Sequence, residues 1–407
     1  MPVELESMTP IAHKTISHGE KMNKLCRQLS IESPSVTGRD CVFSFDVPVP
    51  DVPAHGARIR VMCAGACYHP RRSPSLTSLT SISTVSSGSS LPADVSMESD
   101  YPMSMPHHGV RDAALFPGYE VAGVIESFGT EVPEDNELAI GDRVILYPYD
   151  GIPNGYVEYL VVHDLKYLIK LPDNMSLSVG AMLPAGALLA MNTVFAAHEH
   201  VQALLKERGE NSVCKILVVG TGGLALWALR IASYHFSNMR DRVTTTIATL
   251  KDEGLLIAQE FQRRHVGYRV NVVQWNEDLY EKQLIERTMD ACGGQVDVVI
   301  DFGTTSRNLH RSMQCLSKSG VVFVIKEVAD RLLPKFSRRA EERQQSIKAV
   351  EPGTLEQLRE LVQLVASGDI EPPPHTVYPA EEAMDVVQKL CHSEIQGRAI
   401  LRFYPAD

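Results

Sequence analysis

The sequence predicts an α/β protein in which a β-rich region precedes a doubly wound parallel sheet. Short runs rich in Val, Ile and Tyr, separated by Gly and Pro, fill the chain from residue 41 to about residue 171. Beyond residue 178, strand-like and helix-like segments alternate, which is typical of parallel sheets. The first strand of that series runs through a glycine-rich turn into a helix. At 407 residues the chain exceeds what one compact core usually holds, so two domains are expected.

Composition narrows the class of protein. The 39 basic and 50 acidic side chains give a net charge of −11, which argues against a nucleic-acid partner. With 44% hydrophobic residues the chain can bury a large core and is not wholly disordered. Eight scattered cysteines without a CxxC pair indicate neither a disulfide framework nor a zinc ribbon. The first residues lack an apolar signal segment, so a cytoplasmic location and no membrane partner are expected.

Changes in residue composition and in hydrophobic pattern divide the chain into four parts. Residues 1–39 show no sustained period and are predicted to be a flexible extension. A β-rich domain is expected over 40–184, an alternating α/β domain over 185–350, and a return segment over 351–407. Within the β-rich domain, eleven Ser and three Thr fall in the thirty residues from 71 to 100. Too little apolar surface remains there to offset the entropy of ordering, so a disordered insertion is predicted at about 71–112.

The elements follow in order along the chain. The β-rich domain contains CVFSFDVPVP, PGYEVAGVIESFG, GDRVILYP and GYVEYLVV as strand-like runs. A helix is expected across 182–198, and then the predicted strands are CKILVVG, 243–248, VNVVQW, VDVVIDFG and GVVFVIK. Helices are expected from Gly222 and over about 253–264, 280–289 and 309–316. The tail adds an amphipathic helix near 355–365 and a last strand, GRAILRF.

The most informative segment is the glycine-rich turn after the strand KILVVG. It reads Gly220-Thr221-Gly222-Gly223-Leu224-Ala225 and fits the GxGxxG/A arrangement between a strand and a helix. Gly220 permits a tight turn, Gly222 lets the backbone approach a diphosphate, and Ala225 lets the helix pack on the strand. The helix N-terminus offers free N–H groups to the anion. This pattern predicts a dinucleotide site, although a purely structural glycine turn is the alternative.

The end of the second strand predicts which dinucleotide binds. An Asp or Glu there would hold the ribose hydroxyls of NAD, but the segment reads TTTIATLKDEG and puts Thr249 at that place, with Lys251 close behind. A hydroxyl and a cation tolerate a 2′-phosphate better than a carboxylate does, so NADP(H) is favoured over NAD(H). In the alternative interpretation, Lys251 is solvated and Asp252 takes the ribose. Gly303, which ends VDVVIDFG, completes the expected cofactor contacts.

The order of these segments resembles the medium-chain dehydrogenase/reductase superfamily of alcohol dehydrogenases and quinone reductases. The resemblance runs from about residue 41 to the C-terminus, through VMCAGAC, PGYEVAGVIESFG, GDRV, NGYVEYLVV, MLPAGALLAMNTV, the glycine turn, DVVIDFG and the tail. It implies a GroES-like catalytic domain built from both chain ends and a central Rossmann cofactor domain. It also implies a small-molecule substrate and a homodimer formed through the outer sheet edge.

The chain departs from the zinc-dependent members of this superfamily. Cys67 stands at the first zinc-ligand position, but Tyr119 replaces the His of the Gly-His-Glu motif and Pro184 replaces the later Cys. Zinc needs about three protein donors to activate an oxygen, so Cys67 and Glu120 are insufficient, and His69 would lie beside Cys67 only in a regular strand. The four-cysteine structural zinc lobe is also missing. No metal is therefore expected.

Without zinc, hydride transfer needs an acceptor whose developing charge is met by a proton donor. Activated double bonds and quinones fit this requirement, and Tyr119, Tyr68 and His69 are the candidate catalytic donors near the expected cleft. For Tyr119 the alternative is a buried ring bonded to backbone. Three functions stay open: a zinc-free NADPH-dependent reductase, a non-catalytic nucleotide-binding scaffold or sensor, and a zinc alcohol dehydrogenase with unusual ligands.

Overall fold

The structure, a computed structural model, describes most of the chain. The described ranges are 24–31, 42–66, 118–149, 154–220, 222–250, 252–275, 279–303, 305–392 and 394–404. The predicted insertion at about 71–112 lies outside them, as do Cys67, Tyr68 and His69. Across these ranges no helix combines the length and the apolar character that a membrane crossing requires.

The first element is a two-stranded antiparallel sheet made of strands β1 (Leu25–Ile31) and β2 (Val42–Pro48). The prediction of a flexible extension over 1–39 is therefore wrong for β1. Its buried side chains are those of Cys26, Leu29, Ser30 and Ile31, three of them apolar, and the Leu29 N–H donates to the Tyr156 carbonyl at 2.7 Å. The polar residues between them broke the strand pattern in the sequence, which is why the segment was missed.

The β-rich region continues with five strands. They are β3 (Ala57–Gly65), β4 (Val121–Phe128), β5 (Arg143–Leu146), β6 (Tyr159–Val162) and β7 (Leu168–Lys170). Neighbouring strands pair antiparallel, β3 with both β4 and β6 and β5 with both β4 and β7. The short alternating runs seen in the sequence thus form one sheet.

Helices connect this sheet to the α/β region. The helix predicted across 182–198 corresponds to a π-helical turn (Leu183–Ala187) and the first part of helix α2 (Leu188–Arg208), and a short helix, α1 (Leu177–Ala181), precedes them. Pro184 lies in the π-helical turn, where all five residues are buried. This turn positions backbone N–H groups beside the first sheet, as described below.

The α/β region is a parallel sheet with crossover helices. Its strands are β8 (Cys214–Val219), β9 (Val243–Thr249), β10 (Val270–Gln274), β11 (Val296–Asp301), β12 (Leu316–Ile325) and β13 (Ser346–Val350). They lie in the order β10-β9-β8-β11-β12-β13, which is a doubly wound arrangement with the first strand near the centre. The intervening helices are α3 (Gly223–His235), α4 (Asp252–Arg264), α5 (Glu281–Cys292), α6 (Ser306–Cys315) and α7 (Lys326–Glu342). The sequence analysis did not assign α7 or β13.

The chain then returns to the antiparallel sheet that contains β3–β7, which is called the first sheet below. Helix α8 (Leu355–Ala366) is followed by β14 (His375–Pro379), α9 (Ala383–Cys391) and β15 (Arg398–Arg402). Strand β15 pairs antiparallel with β3, and β14 pairs with β15, so the sheet runs β14-β15-β3-β4-β5-β7. Residues 57–170 and 375–402 therefore build one sheet, and a continuous apolar core that includes Ile145, Leu188 and Val218 joins it to the parallel sheet.

Candidate active site

The glycine-rich turn lies where β8 ends and α3 begins. Gly220 has a φ of +151°, which side-chain-bearing residues rarely adopt, and its N–H donates to the Ala248 carbonyl at 3.0 Å. A Cβ at Gly220 would lie 3.1 Å from the Cβ of Ala225, so both positions require small residues. Gly222 caps α3 without a side-chain hydrogen bond. Gly222 therefore supplies no side-chain acceptor to the first N–H groups of α3.

A buried arginine from the last strand covers the start of α3. A Cβ on Gly223 would lie only 2.5 Å from Cδ of Arg398 and 3.3 Å from its Nη1. Arg398 is 4% exposed and stands in register with His375 on the neighbouring strand. The end of the chain therefore contributes a positive charge to the N-terminus of α3, where the helix dipole also favours an anion.

Glu120 is the partner of Arg398. Its carboxylate accepts a hydrogen bond from Arg398 Nη2, and its Oε1 accepts another from the Gly186 N–H at 3.2 Å. Burial raises the pKa of the Glu120 carboxyl, and the Arg398 charge opposes that rise. Glu120 thus links the loop before β4, the π-helical turn and the last strand at one point.

Two other predicted residues flank this ion pair. Tyr119, the proposed proton donor, is 9% exposed and directly precedes Glu120. Pro184, at the position where zinc-dependent relatives carry a Cys, lies in the same π-helical turn as Gly186. On the other side, the hydroxyl of the buried Tyr156 donates to the Gly65 carbonyl at 2.7 Å, which fixes the end of β3.

The end of β9 is the second part of the candidate cofactor site. Thr249 is completely buried, and its Oγ1 has no hydrogen-bond partner. Its carbonyl accepts from the Trp275 N–H at 2.8 Å, so the ends of β9 and β10 are held together. Asp252, at the start of α4, accepts a hydrogen bond from Nε2 of Gln274. Lys251 and Thr221 lie outside the described residues.

The end of β11 contributes a buried carboxyl group. Asp301 is 1% exposed, accepts from the Gly303 N–H at 2.8 Å and from the Ser312 hydroxyl at 2.7 Å. Burial raises the pKa of Asp301 to about 7. Phe302 donates its N–H to the Val219 carbonyl at 3.0 Å, so Gly303 follows a residue that lies beside the glycine-rich turn.

The structure thus brings several predicted residues to one edge of the parallel sheet. Gly220, Gly222, Gly223 and Leu224 form the turn and first turn of α3, while Thr249 and Gly303 end or follow neighbouring strands. The sequence analysis did not single out Arg398, Asp301 or Gln274. A signal for Arg398 was available, because this arginine directly precedes the apolar run AIL in the strand sequence GRAILRF.

No metal centre is formed by the residues within the described ranges, since no group of three or more His, Cys, Asp or Glu side chains is close enough to hold an ion. Cys67 and His69 lie outside these ranges. The ligand positions that can be inspected hold Tyr119 and Pro184, whose side chains are poor zinc donors compared with the His and Cys of the zinc-dependent pattern.

Comparison with known proteins agrees with this architecture. The sequence model of the family described as zinc-binding dehydrogenase matches residues 278–401. A zinc-type alcohol dehydrogenase-like protein of Schizosaccharomyces pombe is 24% identical over 309 residues, covering 71% of this chain and 82% of that protein.

Solved structures show the same fold. The quinone oxidoreductase from Coxiella burnetii superposes with a TM-score of 0.61 at 16% identity, covering 94% of this chain and 100% of the other. Acetophenone reductase from Geotrichum candidum, solved in complex with NAD, gives a TM-score of 0.60 at 18% identity over 93% and 97% of the two chains. The family match and the S. pombe relative support the resemblance to the medium-chain dehydrogenase/reductase superfamily, and the solved structures share its fold.

Proposed function

We propose that the protein is an NADP(H)-dependent oxidoreductase that transfers hydride to an activated carbon–carbon double bond, a quinone or a carbonyl group without catalytic zinc. The observation that carries this proposal is the position of Arg398 over Gly223 at the N-terminus of α3. A buried guanidinium and the N–H groups of the first turn of a helix together fit a diphosphate, because both favour negative charge at the same place.

The residues present fit a nicotinamide dinucleotide. Gly220, Gly222, Gly223 and Leu224 would hold the diphosphate, with Thr221 as a further contact, and Gly303 would border the bound molecule. At the end of β9, the absence of a carboxylate at Thr249 and the proposed Lys251 contact favour a 2′-phosphate. When bound, the cofactor supplies or accepts a hydride. The chain's own residues orient it against the substrate and exclude water.

The proposed absence of zinc rests on the donor chemistry of the site. Tyr119 and Pro184 occupy two of the positions that supply zinc ligands in zinc-dependent relatives. We therefore propose that a proton donor stabilises the negative charge that develops on the substrate. Tyr119 is the first candidate, because it directly precedes Glu120, which accepts a hydrogen bond from Gly186 of the π-helical turn. Tyr68 and His69 remain proposed donors on the strength of the sequence. A tyrosine hydroxyl or an imidazole can protonate an enolate.

One observation favours a second candidate function. Arg398 is already bonded to Glu120, so the charge at the start of α3 is partly neutralised before any nucleotide arrives. A non-catalytic relative that binds a nucleotide weakly as a sensor or scaffold would tolerate such an arrangement. For either function, we propose the outer sheet edge at β13 as the contact of a homodimer.

Thermal unfolding in the presence of NADPH and NADH tests the proposal. NADPH should raise the unfolding temperature more than NADH, because a ligand that binds only the folded state stabilises it. The Gly222→Val variant should lose the shift, whereas Gly267→Val, at a glycine with open space around it, should keep it. Oxidation of NADPH by a panel of enones and quinones supports the reductase, and binding without turnover supports the scaffold. One zinc ion per chain in the purified protein would contradict the zinc-free proposal.

A further inference from the structure

A side-chain contact links the ends of β9 and β10 at the candidate ribose site. Gln274, the last residue of β10, pairs in register with Thr249, the last residue of β9. Its Nε2 donates a hydrogen bond to Oδ1 of Asp252, the first residue of α4. In doubly wound sheets the adenosine ribose of a dinucleotide lies beside the segment that follows this second strand. The contact therefore lies where the two nicotinamide cofactors differ.

The contact involves a carboxylate whose position can determine which of the two cofactors binds more tightly. A carboxylate at this place accepts hydrogen bonds from the ribose hydroxyls of NAD(H) and repels the 2′-phosphate of NADP(H). Asp252 and Glu253 are the carboxylates that follow Thr249 within the first turn of α4. Asp252 is the nearer to the strand end, and it is solvent-exposed, so its side chain has room to reorient.

We infer that Gln274 is a residue that determines cofactor selectivity, because it holds Asp252 against β10 and withholds this carboxylate from the ribose hydroxyls. The inference rests on the proposed function and identifies how the site would disfavour NAD(H). Gln274 acts through Asp252 and is a specificity residue, not a catalytic one.

The backbone around the contact is fixed independently of the Gln274 side chain. The Trp275 N–H donates to the Thr249 carbonyl at 2.8 Å, and the Trp275 indole N–H donates to the Thr288 hydroxyl at 2.9 Å. Trp275 is completely buried. Replacing the half-buried Gln274 side chain therefore leaves the β9–β10 pairing in place, and a change in selectivity reports the freed Asp252 side chain.

Dissociation constants for NADPH and NADH, measured by titration calorimetry on the full-length chain, test the inference. Wild type should prefer NADPH. In Gln274→Ala, and in Gln274→Met, which keeps the side-chain length without the amide donor, NADH should bind about threefold to tenfold more tightly, as expected for one hydrogen bond gained. NADPH should bind more weakly in both variants, since the freed Asp252 carboxylate repels the 2′-phosphate.

A double variant separates the role of Asp252 from other effects. Gln274→Ala combined with Asp252→Asn should return the NADPH-to-NADH ratio to the wild-type value, and Glu253→Gln alone should leave that ratio unchanged. The inference is overturned if NADH binding does not improve in the single Gln274 variants, if the improvement persists in the double variant, or if wild type prefers NADH. Wild-type protein that binds neither nucleotide would instead refute the proposed function itself.

Discussion

Arg398, on the last strand, donates a hydrogen bond to the buried carboxylate of Glu120, which lies 278 residues earlier in the chain. The pair is enclosed, with side chains 5% and 1% exposed, and it lies against Gly223 at the start of α3. A buried ion pair is stable only when its remaining hydrogen-bonding atoms are satisfied, and the Gly186 N–H meets part of that need. The pair therefore joins the return segment, the first sheet and the candidate diphosphate site.

Removing one partner of this pair should strongly destabilise the fold. Arg398→Met leaves the Glu120 carboxyl buried without its cation, and the expected loss is about 3–5 kcal/mol in the free energy of unfolding. The double variant Glu120→Gln/Arg398→Met should recover a large part of that loss, because no uncompensated charge remains. Urea unfolding followed by circular dichroism measures both changes. If the losses of the two single variants simply add in the double variant, the two side chains are not energetically coupled.

Asp301 should make the stability of the protein depend on pH. Burial raises its pKa from 3.8 to about 7, so the folded protein binds a proton that the unfolded chain releases between these values. The contribution of Asp301 to the free energy of unfolding is largest below about pH 4. It declines as the pH rises to about 7 and stays constant above that pH. The accumulated loss is on the order of 4 kcal/mol. In Asp301→Asn this decline should vanish, as measured by thermal unfolding between pH 4 and pH 8.

Ser312→Ala provides the matched control for Asp301. This variant removes one of the two donors that stabilise the Asp301 carboxylate, so the decline with pH should become larger and extend to higher pH. Identical pH profiles for wild type, Asp301→Asn and Ser312→Ala would show that Asp301 does not titrate in this range.

Local sequence patterns predicted much of this architecture because the relevant signals are contiguous. The apolar strand before Gly220 and the helical segment after it are visible in one stretch of about twenty residues. The strand β1 was missed because Arg27, Gln28 and Ser30 interrupt its apolar pattern, and its stability comes from pairing with β2 and from the contact with Tyr156.

The polar contacts of the candidate site could not be predicted in the same way. Glu120 and Arg398 are brought together because β3 pairs with β4 on one side and with β15 on the other, and no local pattern encodes those pairings. Gln274 and Asp252 belong to different elements, and their contact depends on the register between β9 and β10. The spacing of glycines in the sequence therefore predicted the diphosphate turn, whereas the charged residues around it could be identified only from the three-dimensional structure.

His235 should make the protein sensitive to acid. Its Nε2 lies 2.8 Å from Nδ1 of His198, and burial together with the nearby His198 lowers the pKa of His235 to about 4. His235 therefore becomes protonated near pH 6.5 in the unfolded chain but only near pH 4 in the folded protein. The free energy of unfolding falls as the pH falls through this window. His235→Phe, which keeps an aromatic ring beside Phe195 and Phe236, should reduce that fall.

The effects of His235 and Asp301 have opposite signs over overlapping pH ranges, so single variants are needed to separate them. Thermal unfolding at pH 7.5 and pH 4.5 gives the required comparison for His235→Phe. An equal drop in unfolding temperature for the variant and wild type would show that His235 does not carry the acid sensitivity.

Tyr119→Phe tests the proposed chemistry directly. If the Tyr119 hydroxyl donates the proton that follows hydride transfer, the variant should lose about 10²–10⁴-fold in kcat with the acceptor that turns over best, while its dissociation constant for NADPH stays unchanged. Tyr147→Phe is the matched control, because the Tyr147 hydroxyl donates to the Gly353 carbonyl at 2.9 Å, and its loss should lower stability without removing a proton donor from the site. The two rates, measured by NADPH oxidation under saturating cofactor, distinguish a chemical role from a structural one. Equal kcat values for Tyr119→Phe and wild type would assign the proton donor to another residue and leave Tyr119 with a packing role beside Glu120.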